Sequence, residues 1–516
     1  MRGYRILKGL DRLGDIASIK TCLTTEKLQI ETEHFSSLLM GNHAPNELVI
    51  RQYLLAYLGG LRLNKALLLS LGAGSKVLYP LPSQWRMVLE RHGYHVAHLK
   101  SEILWRLLIL SMVLYGVYKI FKISISSFSA KFSVDNRFKS YVYFFSLSKQ
   151  NIPLNEDTKC RNIISWYLQW EKRRRDIDEI QHGVDGLNPI NIKGIKVVSA
   201  TSAIPCLHGG REVGKYILWF SAALAFVLLD YCRGRWWSAL IFSEAGVAAQ
   251  VRILPSEALA REYFFHNSAW IYRPLWSYEA EGHGALITFY FYSTNCEGFE
   301  GSCRQNLMYL GYQSMTWPRY LVWDEYQAGF IVRAVGFDVI VEVVGAIWFS
   351  GEYVDLSFGQ KSSVAVFDIT PHRFSRYCTL GEEFEYFIPE IANLFIEHVS
   401  LAIAESGTSM LWKRKRDIGR LAHPMYRRFS DEVAMLNHVY SIDPSIAADF
   451  VIQSSFAVIS RPFTSTAIIA KNMGHPTIYY DPSGQIKKDD PAAHGIQIIS
   501  GVSNLCAWIS SQHRPT

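Results

Sequence analysis

Short apolar runs alternate with longer amphipathic stretches along most of the chain. Runs of this kind, rich in β-branched and aromatic residues, read as buried strands, and the stretches between them as helices. Residues 1–75 differ and read as mainly helical, with Glu47 to Ser70 the best segment. Beyond them, strands are predicted at Lys76–Leu81, Tyr94–Leu99, Tyr141–Ser146, Ile195–Ala200, Ala285–Tyr292, Tyr320–Trp323 and Phe337–Val344. Helices are predicted at Ser83–His92, around 103–122, at Asn162–Arg175 and around 211–240. The pattern restarts with a strand at Ser363–Ile369 and a long helix within Glu382–Ser406. Strands at Thr408–Lys413, Val439–Ile442, Phe456–Ser460, Pro476–Tyr480 and Gly495–Ile499 then alternate with helices at Asp431–His438, Pro444–Gln453, Thr464–Met473 and Val502–Ser511.

This order predicts an α/β protein of two doubly wound, mostly parallel sheets facing a cleft, preceded by a helical extension. The expected divisions are 1–75 for the extension, 76–350 for the first α/β domain and 361–516 for the second. Length agrees, because 516 residues correspond to about two to four domains. Ligands of open α/β sheets sit at the C-terminal strand ends. Fold order by itself sets no function.

Composition narrows the partners. The chain is 49% hydrophobic and 19% charged, with a net charge of +7. That excludes intrinsic disorder and suits phosphate-bearing partners or an anionic surface. The eight cysteines are scattered, with no CxxC pair and no metal-ligand cluster with histidine, so no metal site and a reducing compartment are expected. Charges interrupt every short apolar run of the N-terminus, so no signal peptide is expected there. Two segments are greasy, Leu107–Tyr118 with 12 residues and Tyr216–Leu229 with 14. Both fall short of the roughly 20 needed to span a bilayer. They read as buried core helices, with peripheral contact at the inner membrane as the alternative. The expected location is the cytoplasm, and a polytopic channel or flippase is excluded.

The sharpest chemical signal runs from Phe456 to Gly484. A strand ends at Ser460, Arg461 to Phe463 turn, and Thr464, Ser465 and Thr466 open a helix. Free N–H groups and hydroxyls at a helix start, with Arg461 beside them, make a cradle for phosphate. Simple capping by Thr464 or Ser465 needs no ligand and stays open. From Lys413 to Arg428 seven bases, among them Lys413 and Lys415, meet one acid, Asp417, as the chain leaves a strand. His423–Pro424 sits in that loop, where an imidazole can bond phosphate or protonate a leaving group. An ordinary loop histidine and a solvated basic face are the bland alternatives. Long basic surfaces are missing elsewhere, so nucleic acid is not an expected partner.

RPFTS at 461–465, running into STAIIAKNMGHPTIYYDPSG, resembles the bacterial polysaccharide-biosynthesis proteins named for their PFTS motif. The resemblance extends to PLWSYEAEGHGALITFYFYSTN at 274–295, TWPRYLVWDEYQ at 316–327 and VAVFDITP at 364–371. More distantly, a His-Pro pair followed by a hydroxyl-rich helix start is similar to the sialyltransferases and capsule Kdo transferases of the GT-B fold. This implies a GT-B-like, metal-independent glycosyltransferase of surface-polysaccharide synthesis. Its donor would be a nucleotide-sugar, CMP-activated first and UDP-activated second, and it would need no cofactor. His423, Thr464 and Ser465 would hold the donor phosphate. The acceptor would be a glycan or lipid-linked glycan.

The first domain is expected to supply the acceptor site and the base. Tyr292, Ser293 and Asn295 follow one predicted strand and Asp324 another. Asp324 is the first candidate base and Glu281 the second, each with a structural alternative: a helix cap for Asp324 and an exposed helix-end charge for Glu281. Asp481, at the end of YYD, suits a sugar hydroxyl or a turn. There is no GxxxxGK[ST] loop, no strand-borne GxGxxG, no GxSxG and no HExxH. A nucleotide-sugar epimerase and a non-catalytic glycan-binding assembly protein remain the rival readings.

Overall fold

The structure is a computed structural model and describes residues 37–58, 61–129, 140–153, 162–294, 296–300, 310–347, 362–372, 388–414, 418–462 and 464–513. Helices α1 (Asn46–Leu58), α2 (Leu61–Ala73), α3 (Ser83–Arg91) and the long α4 (His98–Ser129) come before any sheet. The strands expected at Lys76–Leu81 and Tyr94–Leu99 are absent. These segments meet only in one parallel bridge, Val77 with Val96. Pro80 removes a ladder donor from the first segment, and the second becomes α4 at His98.

The first sheet holds β1 (Tyr141–Phe144), β2 (Glu179–His182), β3 (Ile190–Ile192), β4 (Ile195–Ser199), β5 (Glu262–His266), β6 (Leu286–Tyr290), β7 (Arg319–Val322) and β8 (Ile340–Val343). Its order is β3-β4-β2-β1-β5-β6-β7-β8, parallel except for the edge strand β3. Helices α5 (Ile163–Gln169), α6 (Gly210–Cys232), α7 (Trp237–Ile253), α8 (Trp276–Gly282) and α9 (Glu325–Val335) make crossovers. The second sheet holds β9 (Ser363–Asp368), β10 (Ser409–Arg414), β11 (Val439–Ile442), β12 (Ala457–Ser460), β13 (Thr477–Tyr480) and β14 (Ile498–Ile499). It is fully parallel, in the order β11-β10-β9-β12-β13-β14. Its helices are α10 (Pro389–Glu405), α11 (Pro424–Val433), α12 (Ala448–Gln453), α13 (Thr466–Asn472) and α14 (Val502–Gln512).

Both sheets are therefore doubly wound, as expected. In each, the chain starts in the middle, lays strands to one side, then returns and builds the other. The strand order reverses between β1 and β5 and again between β9 and β12. Those two places are topological switch points, where the loops leaving the C-terminal strand ends diverge and open a crevice.

The core of the first domain is built on α7, whose residues are almost all buried. It packs against α4, α6 and α8. Glycines let α4 and α7 approach closely. A Cβ on Gly116 would lie 2.5 Å from a Phe242 ring carbon, and one on Gly246 would lie 2.5 Å from Ile120 Cγ1. Gly246→Val is expected to cost about 1–3 kcal/mol by forcing the pair apart. Chemical denaturation of the full chain checks it; an unchanged midpoint would show the helices free to separate. The aromatic content is spent here too. Phe145 stacks on Phe265 at 4.4 Å, and Phe265 and Phe289 flank Trp317 at 4.7 and 5.0 Å.

The greasy segments depart from expectation. They lie within helices of 32 and 23 residues, α4 and α6. Only 22% of the most apolar window of each is buried, so neither is a core helix. The predicted helix over 211–240 breaks at Gly234, which takes φ +77° between α6 and α7. The helix after Asn162 ends at Gln169, and the bases at 172–175 lie in turns.

Candidate functional site at the facing strand ends

The two sheets meet through the loops at their C-terminal edges. Asp324 follows β7, and its carboxylate meets His494 Nδ1 at 2.7 and 2.9 Å. The Glu300 N–H donates to Asp490, Lys487 pairs with the Glu300 carboxylate, and Phe299 packs edge-on against Tyr479 at 5.2 Å. Residues that leave β6 and β7 thus touch residues that end or follow β13.

At the switch point of the second sheet, β9 ends at Asp368 and β12 at Ser460, with Phe367 opposite Ser460 in register. The RPFTS turn leaves β12 there, its Phe463 lying outside the described residues. Ser460, Thr466 and Thr464 form a hydroxyl chain: the Ser460 and Thr466 hydroxyls are 2.9 Å apart, Thr466 donates to Thr464 Oγ1 at 3.0 Å, and Thr464 donates to the Arg461 carbonyl at 3.0 Å. Tyr479 clamps the turn by donating to the Thr464 carbonyl at 2.7 Å. Thr464 is buried, while Ser465 and Thr466 are half-buried. Ser465 holds the N-cap position of α13 without a side-chain cap bond.

Arg461 is not an open phosphate ligand. It is 0% exposed, and its guanidinium donates to the Ile369 carbonyl at 3.0 Å and faces Asp368 at 3.5 Å. The Tyr426 hydroxyl donates to the other Asp368 oxygen at 2.7 Å. Burial pushes the Asp368 carboxyl above the usual range, and Arg461 and Tyr426 oppose that shift. This triad ties β9, α11 and the RPFTS turn together beneath the crevice. Sequence reading missed Asp368; the signal was a charged residue ending the apolar run SVAVFD.

His423 stands at the same edge. It is 8% exposed and caps α11, its Nδ1 accepting the Met425 N–H at 3.3 Å, while its backbone N–H donates to the Pro371 carbonyl just past β9. A cavity of about 540 Å³ opens next to it, lined by Ala422, Pro424, Arg427, Arg428, Asp431 and Glu432 among others. Acids beside the arginines make it mixed in charge rather than purely basic. Lys413 lies inside β10, not beyond it. It is buried, and its Nζ donates to the Pro444 carbonyl at 3.1 Å. Burial holds its pKa below the ordinary lysine value. Lys413 is thus corrected from phosphate ligand to structural tie. Lys415 and Asn295 lie outside the described residues.

Asp481 is likewise corrected. It is fully buried, and its carboxylate is spent on the turn, accepting from the Ser483 N–H and hydroxyl and from the Ile486 N–H. Glu281 sits at the end of α8, before β6, and pairs with Arg273 at 2.5 Å. In a parallel sheet the residues before a strand lie on the opposite edge from those after it, here about 16 Å away over five residues. Glu281 therefore cannot share the cleft with Asp324. Asp324 itself caps α9, accepting the Gln327 N–H at 3.0 Å, besides holding His494. His494 pulls its carboxyl below the usual range against an opposing effect of burial, which is the largest single influence.

Tyr292 and Ser293 do lie at the C-terminal edge of the first sheet. Asn267 binds both, accepting the Tyr292 N–H at 3.2 Å and donating to the Ser293 hydroxyl at 3.4 Å. The first sheet's own switch point, between β1 and β5, was missed. Ser146, at φ +55°, accepts from Trp270 Nε1 at 3.0 Å, and His266 contacts the Ser146 carbonyl and the Ser268 hydroxyl. Strand β5 was not predicted, so nothing marked this crevice. Among the described residues no group of three or more His, Cys, Asp or Glu gathers in metal-binding geometry.

A family model described as "Polysaccharide biosynthesis PFTS motif protein" matches residues 219–509. No curated protein matches the chain. Among solved structures, the chain is similar to UDP-GlcNAc 2-epimerase from Methanocaldococcus jannaschii, with 8% identity, a TM-score of 0.38, and coverage of 73% of this chain and 93% of that one. It is also similar to a UDP-forming trehalose-phosphate synthase from Burkholderia xenovorans, with 9% identity, a TM-score of 0.34, and coverage of 73% and 93%.

Proposed function

The chain belongs to the polysaccharide-biosynthesis PFTS-motif family, and from that premise we propose that it is a glycosyltransferase using a nucleotide-sugar donor. One observation carries the reading. The motif that names the family forms the turn at the switch point of the second sheet, the position where open α/β sheets take their ligands. The donor phosphate meets the start of α13 at Ser465, the half-buried N-cap residue of that helix. The buried Arg461–Asp368–Tyr426 triad fixes that turn from below. His423, tied by its backbone to Pro371 just past β9, supplies an electrostatic partner for the leaving phosphate. The acceptor, a glycan or lipid-linked glycan, enters over Tyr292 and Ser293 on the facing edge. Contacts between the two edges exclude water from an activated sugar that would otherwise hydrolyse. A CMP-activated sugar is the first donor expected and a UDP-activated one the second.

Thermal unfolding with CMP, UDP, GDP and ADP tests the proposal. A nucleotide at a hundred times its dissociation constant adds about 2.7 kcal/mol of stability. CMP is expected to raise the Tm most, and Thr464→Ala/Ser465→Ala to remove that rise while the unliganded Tm shifts far less than for a core mutant. Equal nucleotide response in the double mutant would overturn the site. Sugar-nucleotide turnover without an acceptor, yielding an epimer, would overturn the transferase.

A further inference from the structure

We infer that α4 and α6 together form a membrane-docking face that lies flat on an anionic bilayer. The two helices pack side by side against α7. Their inner faces are core: Trp105, Ile109 and Val113 on α4, and Val213, Tyr216 and Val227 on α6. Their outer faces are not. Leu99, Ile103, Leu107, Leu114, Phe121 and Phe128 are all exposed, the first and last at 74% and 67%. Their spacings of four and seven residues put them on one side of the helix, a stripe about 44 Å long at 1.5 Å per residue. On α6, Leu218, Ala222, Ala225 and Leu229 repeat the pattern, with Leu218 74% exposed. A soluble monomer rarely leaves a contiguous apolar surface of that extent.

The geometry and the charge together choose the occupant. Each helix buries one side against protein along its length, so lipid has access to the other side only. That is the arrangement of a helix lying in the interface plane, not of a span. Bases crowd the same two segments. Residues 98–129 carry four bases to one acid, and 210–235 carry four to two, within a chain whose whole net charge is +7. Lys100 and Lys122 on α4, and Arg211, Lys215 and Arg233 around α6, are exposed. Anionic headgroups complement that margin, whereas a second copy of the chain would bring the same positive excess against itself. The face is independent of the nucleotide site and stands if that reading fails.

Co-sedimentation of the purified full chain with vesicles tests the inference. The protein is expected to pellet with phosphatidylglycerol/phosphatidylethanolamine vesicles and far less with phosphatidylcholine alone. Leu107→Glu/Leu114→Glu/Leu218→Glu, all at exposed positions, should lower the bound fraction by about tenfold or more. Lys100→Glu/Lys122→Glu, which disturbs no packing, should erase the preference for phosphatidylglycerol. Wild-type protein that stays in the supernatant with every vesicle overturns the inference, as does undiminished binding by either variant. A dimer in analytical ultracentrifugation that the triple variant splits would assign the face to a second copy and overturn it as well.

Discussion

Arg461→Met is expected to destabilise the protein by about 3–5 kcal/mol, the loss usual when one partner of a buried ion pair is removed. Arg461 and Asp368 are both 0% exposed at their side chains. In the variant the Asp368 carboxylate keeps its Tyr426 hydrogen bond and loses its cation. Burial, already the largest influence on Asp368, then meets only the weaker opposition of the Tyr426 and Ile369 hydrogen bonds and raises its pKa further. A folded carboxyl with a raised pKa binds more protons than the unfolded chain, so the variant's stability falls as pH rises. Its deficit against wild type should therefore be widest at neutral pH and narrow toward pH 4. Adding Asp368→Asn should return part of the lost stability, because the buried charge is then gone. Denaturation curves of the three proteins across pH measure all of this. A deficit below 1 kcal/mol at pH 7, with nucleotide response lost, would mean that Arg461 serves the ligand directly.

Strand–helix alternation was legible because buried parallel strands are continuous apolar runs, and the second sheet followed from it strand by strand. Strands β2 and β5 were not legible, since EIQH and EYFFH carry charged or polar ends that are nonetheless buried inside the sheet, Glu262 held there by Thr288 and Arg319. That RPFTS leaves the C-terminal end of a strand followed from sequence; that this strand borders a switch point needed the spatial order of the sheet. The depth of its arginine did not follow either: a base beside three hydroxyls reads as a ligand, and only packing shows that it faces inward. Lys413 and Asp481 misled for the same reason, since each is a charged residue at a strand end whose side chain turns back to satisfy a carbonyl or a turn. Glu281 failed on topology, because whether a residue precedes or follows its strand decides which edge it reaches. For α4 and α6 the error lay in length. Charged residues, Arg106 and Lys119 in one and Lys215 and Asp230 in the other, cut the apolar runs short in sequence while the helices continue through them.

The same distinction between ligand and support governs Asp324. Asp324→Ala should cost about 2–4 kcal/mol, of which the lost N-cap accounts for about 1 and the stranded His494, itself almost fully buried, for the rest. Asp324→Asn should cost far less, because asparagine caps a helix as well as aspartate does and its side-chain oxygen still accepts from His494 if the ring carries its proton on Nδ1. The pair is also an acid-labile fastener between the two domains. With the Asp324 carboxyl held below its ordinary value, its contribution is fully present above the unfolded pKa of about 4 and is lost as pH falls through the lower folded value. Wild type should therefore lose its advantage over Asp324→Asn only below about pH 4. Transferase assays divide the two remaining roles. A group that takes the acceptor proton contributes about 10²–10⁴ in rate, whereas both Asp324 oxygens already serve the cap and His494. Asp324→Asn is accordingly expected to keep its rate within about tenfold of wild type, well short of the loss of a general base. A fall of a thousandfold in a stably folded Asp324→Asn protein would return Asp324 to the role of base and leave the domain contact to Glu300, Lys487 and Asp490.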